Sequence, residues 1–223
     1  MSLTINNDSA IGFALVALGR SSSLMNEAME RLSTGKRMNK ASDDPAGIHQ
    51  VMRLNAEIQG IETASKNAAD GQSLIDTLET SLSEVQSILL RMRELTIQAI
   101  SDTNSAADRL ALDTELSQLE LEITRIGSTT SFGGKPVFDG NLHYLQIGPR
   151  SGNTLEVQAY TLSASTLGLT QDLTTRNNAE NYLGIIDTAI EDINERRGAA
   201  GVISNRLDFI MSNLDNSKVN LIK

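Results

Sequence analysis

Two histidines, His49 and His143, are the first residues to weigh for chemistry in this chain of 223 residues. They lie far apart in sequence. Neither belongs to a His-Glu-x-x-His helix, the spacing that brings two imidazoles to one zinc from a single helix face. His49 reads as a surface or packing residue. The glycines near positions 133 and 148 lack the Lys-Ser/Thr pair with which a phosphate-binding loop engages phosphate and magnesium. Carboxylate neighbours such as Glu191-Asp192 have basic residues close by and read as solvated helix faces. With no Cys in the chain, thiolate metal sites and disulfides are excluded. No enzyme constellation emerges, and no metal or cofactor is expected.

Two groups suit binding better than catalysis. Arg31, Lys36, Arg37 and Lys40 make a short basic cluster. It reads either as a solvated helix end or as a face for acidic patches on a neighbouring molecule. The second group lies in Arg91-Met92-Arg93-Glu94-Leu95-Thr96-Ile97-Gln98-Ala99. Leu89, Met92 and Ala99 are expected to pack inward, leaving Arg91 and Glu94 outside. Leu95 is then expected to be exposed beside Arg91, the anatomy of an interface anchor.

The elements that hold these groups are mostly long helices. The strongest signal is Ile61, Ala64, Ala68, Gly71, Ile75, Leu78, Leu82, Val85, Leu89 and Met92, which alternate steps of three and four. That is a 3.5-residue repeat, the pattern of a coiled-coil seam. Asp44 before Pro45 supplies an N-cap and a proline at the first helical position. A helix is therefore expected from Pro45 to about Ile100, spanning roughly 80 Å. A second is expected near Ser105, with Asp108 closing a weak capping box and Leu112, Leu116, Leu119, Ile123 and Ile126 continuing the stepping. A third is expected near Asn177, with Glu180 at its third position. Leu183, Ile186, Ile190, Ile193, Ala200, Leu207, Met211, Leu214 and Leu221 lie on its heptad frame, interrupted at Arg197-Gly198, where a bend is allowed.

Residues 1–32 read as weakly amphipathic, with Leu15, Leu18, Met25, Ala28 and Leu32 able to share a face. Between the second and third long helices the period falls to two. Phe132-Gly133-Gly134 and Asp139-Gly140-Asn141 read as turns, Leu142–Ile147 and Thr154–Tyr160 as strands, and 161–176 as irregular. The fold class expected is mainly α, an elongated antiparallel helical rod with a small β-hairpin region. An aromatic content of 3% without Trp fits helices packed side by side. A net charge of −9 argues against nucleic acid as a partner. No apolar run approaches the length of about 18 residues that suggests a membrane span, so no membrane is expected. Ile11 to Leu18 are preceded by Asp8 rather than by a basic residue, unlike a secretory signal. Composition alone reads as cytoplasmic.

Specific motifs extend the reading. Arg31-Leu32-Ser33-Thr34-Gly35-Lys36-Arg37-Met38-Asn39, Ser42-Asp43-Asp44-Pro45-Ala46-Gly47 and the 91–99 segment resemble the N-terminal core of bacterial flagellins. Ser204-Asn205-Arg206-Leu207 and Ser212-Asn213-Leu214 resemble the start of their C-terminal core. The resemblance implies a filament subunit that polymerises with its own kind and meets junction and cap proteins. It implies export through the flagellar type III apparatus to an extracellular flagellum. It divides the chain into a filament-core helix and spoke loop (1–44), a helical rod (45–131 and 173–223) and a hairpin and loop region (132–172). It places Arg31, Lys36, Arg37 and Lys40 at filament contacts. It makes Arg91, Leu95 and Glu115 a contact either for other subunits or for the Toll-like flagellin receptor of animals. Flagellins continue past the position matching Leu221 with another amphipathic helix. The resemblance therefore implies that the chain ending at Lys223 stays soluble without forming filaments, and that binding of the export chaperone is lost. The hook–filament junction protein of the same superfamily shares Ser42-Asp43-Asp44-Pro45 and stays open as an alternative. So does a secreted coiled-coil binding protein that does not polymerise.

Overall fold

The computed structural model describes residues 8–40 and 42–222, with the first three of these through their backbone alone. The expectations for residues 1–7 lie outside the described residues. The chain divides into two compact units, Met1–Glu57 and Ile58–Lys223.

In the first unit, α1 spans Asp8–Thr34. Ile11, Phe13, Leu15, Leu18, Met25 and Leu32 are all exposed, so the weak amphipathicity of this segment covers no core of its own. The chain turns at Gly35, whose φ of 66° lies in the left-handed region. The Asp43 carboxylate accepts from the Asn39 and Lys40 amides, each at 3.1 Å, and tightens the loop. α2 (Pro45–Ile100) then starts where Asp44 caps it. The Gly47 amide donates to Asp44 Oδ1 at 3.0 Å, and the Ile48 amide to the Asp44 carbonyl at 2.9 Å.

The second unit holds the core. It comprises the rest of α2, α3 (Ala106–Thr129), two short hairpins and α4 (Arg176–Ile222). Every α2 seam residue from Ile61 to Met92 is buried, as the 3.5-residue repeat requires. Opposite them α4 buries Ile186, Ile193, Ala200, Leu207 and Leu214, one residue per heptad. Polar partners step in opposite directions along the two helices, so α2 and α4 are antiparallel. Glu62 meets Lys218, Gln72 meets Ser204, Glu79 meets Arg197, and Arg93 meets Asp187. α4 is helical throughout Arg197-Gly198. Arg197 occupies a seam position and reaches out of it to the side chains of Glu79 and Gln86. α4 begins after Thr175, whose hydroxyl accepts from the Asn178 amide; Glu180 lies beyond the capping position expected for it and pairs with Arg176 instead.

Four strands follow α3 in sequence, and the second hairpin lies along α2, where Asn67 Nδ2 donates to the Gln146 carbonyl at 3.0 Å. β1 (Ser131–Phe132) and β2 (Lys135–Pro136) pair across Gly133 and Gly134, both at positive φ, as a two-residue hairpin turn of type I′ requires. β3 (Leu142–Gln146) pairs antiparallel with β4 (Thr154–Gln158), and β4 turns Leu155 and Val157 into the core. The connection at 161–175 is irregular, yet Leu162, Leu167, Leu169 and Leu173 are all buried. It therefore belongs to the core, a role that its Ser/Thr-rich composition hid.

Candidate functional site

The segment around Arg91 depends on a tight reversal between α2 and α3. The last carbonyls of a helix have no partner inside it. Here Arg109 donates to the Ala99 carbonyl at 2.9 Å and to the Ser101 carbonyl at 3.1 Å, while Asn104 Nδ2 donates to the Gln98 carbonyl. Ser105 then opens α3 with a complete capping box: its hydroxyl accepts from the Asp108 amide, and Asp108 Oδ2 accepts from the Ser105 amide at 2.9 Å. Stapled at both ends, the turn brings α3 back alongside α2.

That return places Glu115 against Arg91. The guanidinium donates to Glu115 Oε1 through Nη2 at 2.8 Å and Nε at 3.1 Å, and to Glu94 Oε2 through Nη1 at 3.1 Å. The bonds to Glu115, then to Glu94, hold the guanidinium pKa above its ordinary value, so it remains a cation. Half of the Arg91 side chain faces solvent, and so does nearly half of Glu115. An exposed, solvent-screened pair of this kind adds little to stability, so its planar, two-pronged charge serves recognition better.

Leu95 is not part of that exposed surface. It retains only 1% of its accessible area. Leu74, Ser81, Ile88 and Leu95 recur every seven residues beside the main seam, and all are buried or packed against the core. α3 and the hairpins cover this second stripe, and a two-helix seam does not anticipate it. Leu95 therefore belongs to the packed interior and not to the contact surface. On this stretch of α2 the large apolar side chains that stay outside are Leu90 and Ile97, at 48% and 47% exposure. With Glu94 they stand at i, i+4 and i+7 on one helix face. Their absence from the 3.5-residue frame was the available signal.

In the first unit the basic cluster splits. Arg31 pairs with Glu27, and Lys40 with Glu30 at 2.7 Å. The hydrogen bond and charge of Glu30 raise the Lys40 pKa. Lys36 and Arg37 are exposed, and their side chains have no partner among the described residues. His49 is exposed, while His143 lies 3.3 Å from Asp139. Among the described residues no three His, Cys, Asp or Glu side chains gather as a metal site, and no helix is long and apolar enough to cross a membrane.

Residues 5–143 match the sequence pattern of the bacterial flagellin N-terminal helical region. The flagellin of Halalkalibacterium halodurans is 40% identical over 87% of this chain and 74% of its own length. Matches to two other, longer flagellins cover only 42% and 35% of their lengths. Among solved structures, a flagellin from Bacillus cereus superposes with a TM-score of 0.62 at 35% identity, covering 67% of this chain and 88% of that one. FlgL from the same organism gives a TM-score of 0.63 at 16% identity over 78% of this chain and 99% of its own, which speaks for a shared fold alone.

Proposed function

Because the chain belongs to the bacterial flagellin family, a family of structural proteins rather than enzymes, we propose that it is a subunit of the flagellar filament. The observation that carries this reading is the identity to a flagellin over 87% of the chain. Its partners are then copies of itself, with junction and cap proteins at the ends of the polymer. Its place is the extracellular flagellum, reached through the flagellar type III apparatus. Residues 1–44 serve as filament-core helix and spoke loop, 45–131 and 173–223 as the rod, and 132–172 as its hairpin region. Two features support subunit contacts. α1 keeps its apolar side chains uncovered, and Lys36 and Arg37 are left for acidic groups on a neighbour. The fold shared with FlgL favours a junction protein as the second reading. The test is expression, in a flagellin-null bacterium, of the whole gene with whatever it encodes after Lys223, since the 223 residues alone are expected to stay soluble. Filaments seen by electron microscopy are expected, and they should shorten or vanish in Lys36→Glu/Arg37→Glu while export continues. Filaments of normal length in that variant would remove the basic cluster from the contact, and no filament from the unaltered gene would favour the junction reading.

The Arg91–Glu115 face, flanked by Leu90 and Ile97, serves either subunits or the Toll-like flagellin receptor. Arg91→Ala is expected to weaken receptor activation by more than about 1 kcal/mol, roughly fivefold, in a reporter assay with helicity unchanged. Full activity in that variant, or an inactive unaltered protein, leaves only the subunit contact.

A further inference from the structure

Asp113, Glu120 and Gly127 recur every seven residues on α3 and form one stripe. The chain leading into α4 is fastened along it. The Leu162 carbonyl lies over Gly127, the Ala164 amide donates to Thr124 Oγ1 at 3.2 Å, and the Leu173 amide donates to Asp113 Oδ1 at 2.8 Å. Tyr182, in the second turn of α4, is fully buried and donates its phenol to Glu120 Oε1 at 2.5 Å. We propose that Glu120, Tyr182 and Asp113 form a proton-sensitive clasp between α3, α4 and the 161–175 connection, one that stabilises the folded chain more once Glu120 has taken up a proton from solvent.

The charges around Glu120 decide the sign. On α3 itself the charge acting on it is Asp113, and from α4 it meets the Tyr182 phenol. On the connection, Asp172 turns its carboxylate to Thr174 and Asn178. On α2, Arg91 is engaged with Glu115 and Glu94, and Arg93 with Asp187. Among the described residues no basic group acts on Glu120. Its half-burial, and then the like charge of Asp113, raise its pKa, while the bond from Tyr182 opposes the rise. Protonation removes the buried charge and the repulsion, and the carbonyl oxygen of the neutral carboxyl still accepts from Tyr182. The folded chain therefore binds this proton more tightly than the unfolded one. The stability that Glu120 contributes is fully present below its unfolded pKa and is lost as pH rises through its folded pKa. That dependence is opposite in sign to that of a carboxylate held by a cation.

The measurement is a carbon-detected NMR titration of the Glu120 carboxyl in the intact chain, with urea unfolding from pH 4 to 7. Glu120 is expected to titrate above the ordinary Glu value of about 4.3. The midpoint should move up in Tyr182→Phe, which removes the donor to the charged form, and down in Asp113→Asn. In Glu120→Gln the unfolding constant should be smaller than in the unaltered chain at pH 7, with the difference closing as pH approaches 4. A Glu120 midpoint at or below the ordinary value overturns the clasp, as does an unfolding profile unchanged by Glu120→Gln. If the Gln variant fails to fold, the titration of the unaltered chain still decides.

Discussion

Gly127 offers the sharpest test of how the 161–175 connection is seated. A methyl group built at Gly127 would stand 1.9 Å from the Leu162 carbonyl oxygen and 2.8 Å from its carbon. Both are backbone atoms, so no side-chain rotation relieves the clash. Restoring ordinary contact means moving the connection by about 1.5 Å, which would draw Leu162 out of the core and stretch the bond from the Ala164 amide to Thr124. Overpacking of this kind costs about 1–3 kcal/mol. Against it stands the gain of about 0.5–1 kcal/mol that Ala brings over Gly inside a helix. Gly127→Ala should therefore be destabilising on balance. Gly184 on α4 is the control, because a methyl group there meets nothing within 4 Å. Gly184→Ala should stabilise by the full helical gain of about 0.5–1 kcal/mol. In urea, with a slope of about 2 kcal/mol per molar, the two midpoints should move in opposite directions, each by a few tenths of a molar or more. If both variants move up together, the connection does not press on α3 as described.

Three further outcomes are expected. Leu95→Ala should cost about 2–5 kcal/mol in urea unfolding, the loss typical of a buried leucine, and a loss under 1 kcal/mol would return Leu95 to the surface. Ser105→Ala should cost about 1 kcal/mol and fray the start of α3, seen as faster amide exchange there; unchanged exchange at Asp108 would count against the capping box. Hydrogen bonds from Ser105, Arg125, Asn141 and Thr174 hold the carboxyls of Asp108, Glu122, Asp139 and Asp172 below their ordinary values. The stability they contribute is present above the ordinary range near pH 4 and lost as pH falls through the depressed values, so the thermal midpoint should drop below about pH 4. A midpoint that stays flat from pH 5 to pH 2 would contradict those bonds.

The helices were legible because their causes are local. Asp44-Pro45 and Ser105…Asp108 announce starts, and a seam of apolar residues in steps of three and four announces the buried edge. The hairpin at 142–158 announced itself by its alternation. What the sequence hid needs a third body. Leu95 looks external against one partner helix and becomes internal only when α3 covers the neighbouring stripe; Leu74, Ser81 and Ile88 at the same heptad position carried that message. The leucines of 161–175 follow no period because the segment is neither helix nor strand, and their burial follows from where α3 and α4 lie. Phe132-Gly133-Gly134 read only as a turn, since two residues on either side of the glycines are too few to show alternation. Glu115 was expected opposite Arg91, but the commitment of one guanidinium to both Glu115 and Glu94 is a matter of side-chain geometry. Lys36 and Arg37 could be told from Arg31 and Lys40 only once Glu27 and Glu30 were seen to claim the latter pair.

The direction of pairing along α2 has a consequence for the order of folding. Arg91 and Glu115 are separated by 24 residues of chain, whereas Gln72 and Ser204 are separated by 132. Closing a short loop is fast, and contacts distant in sequence wait for a larger loss of chain entropy. The α2–α3 reversal, with its stapled turn, can thus form early. The lower seam of α2, from Ile61 to Leu78, gains its helical partner only when the last part of α4 arrives. During synthesis that stripe is complete long before the residues that cover it exist. The growing chain therefore passes through a stage in which one end of its longest helix already has α3 beside it and the other still presents an apolar edge without its helical partner. A pulse of hydrogen exchange during refolding should record this interval as early protection near Arg91 and late protection near Ala68.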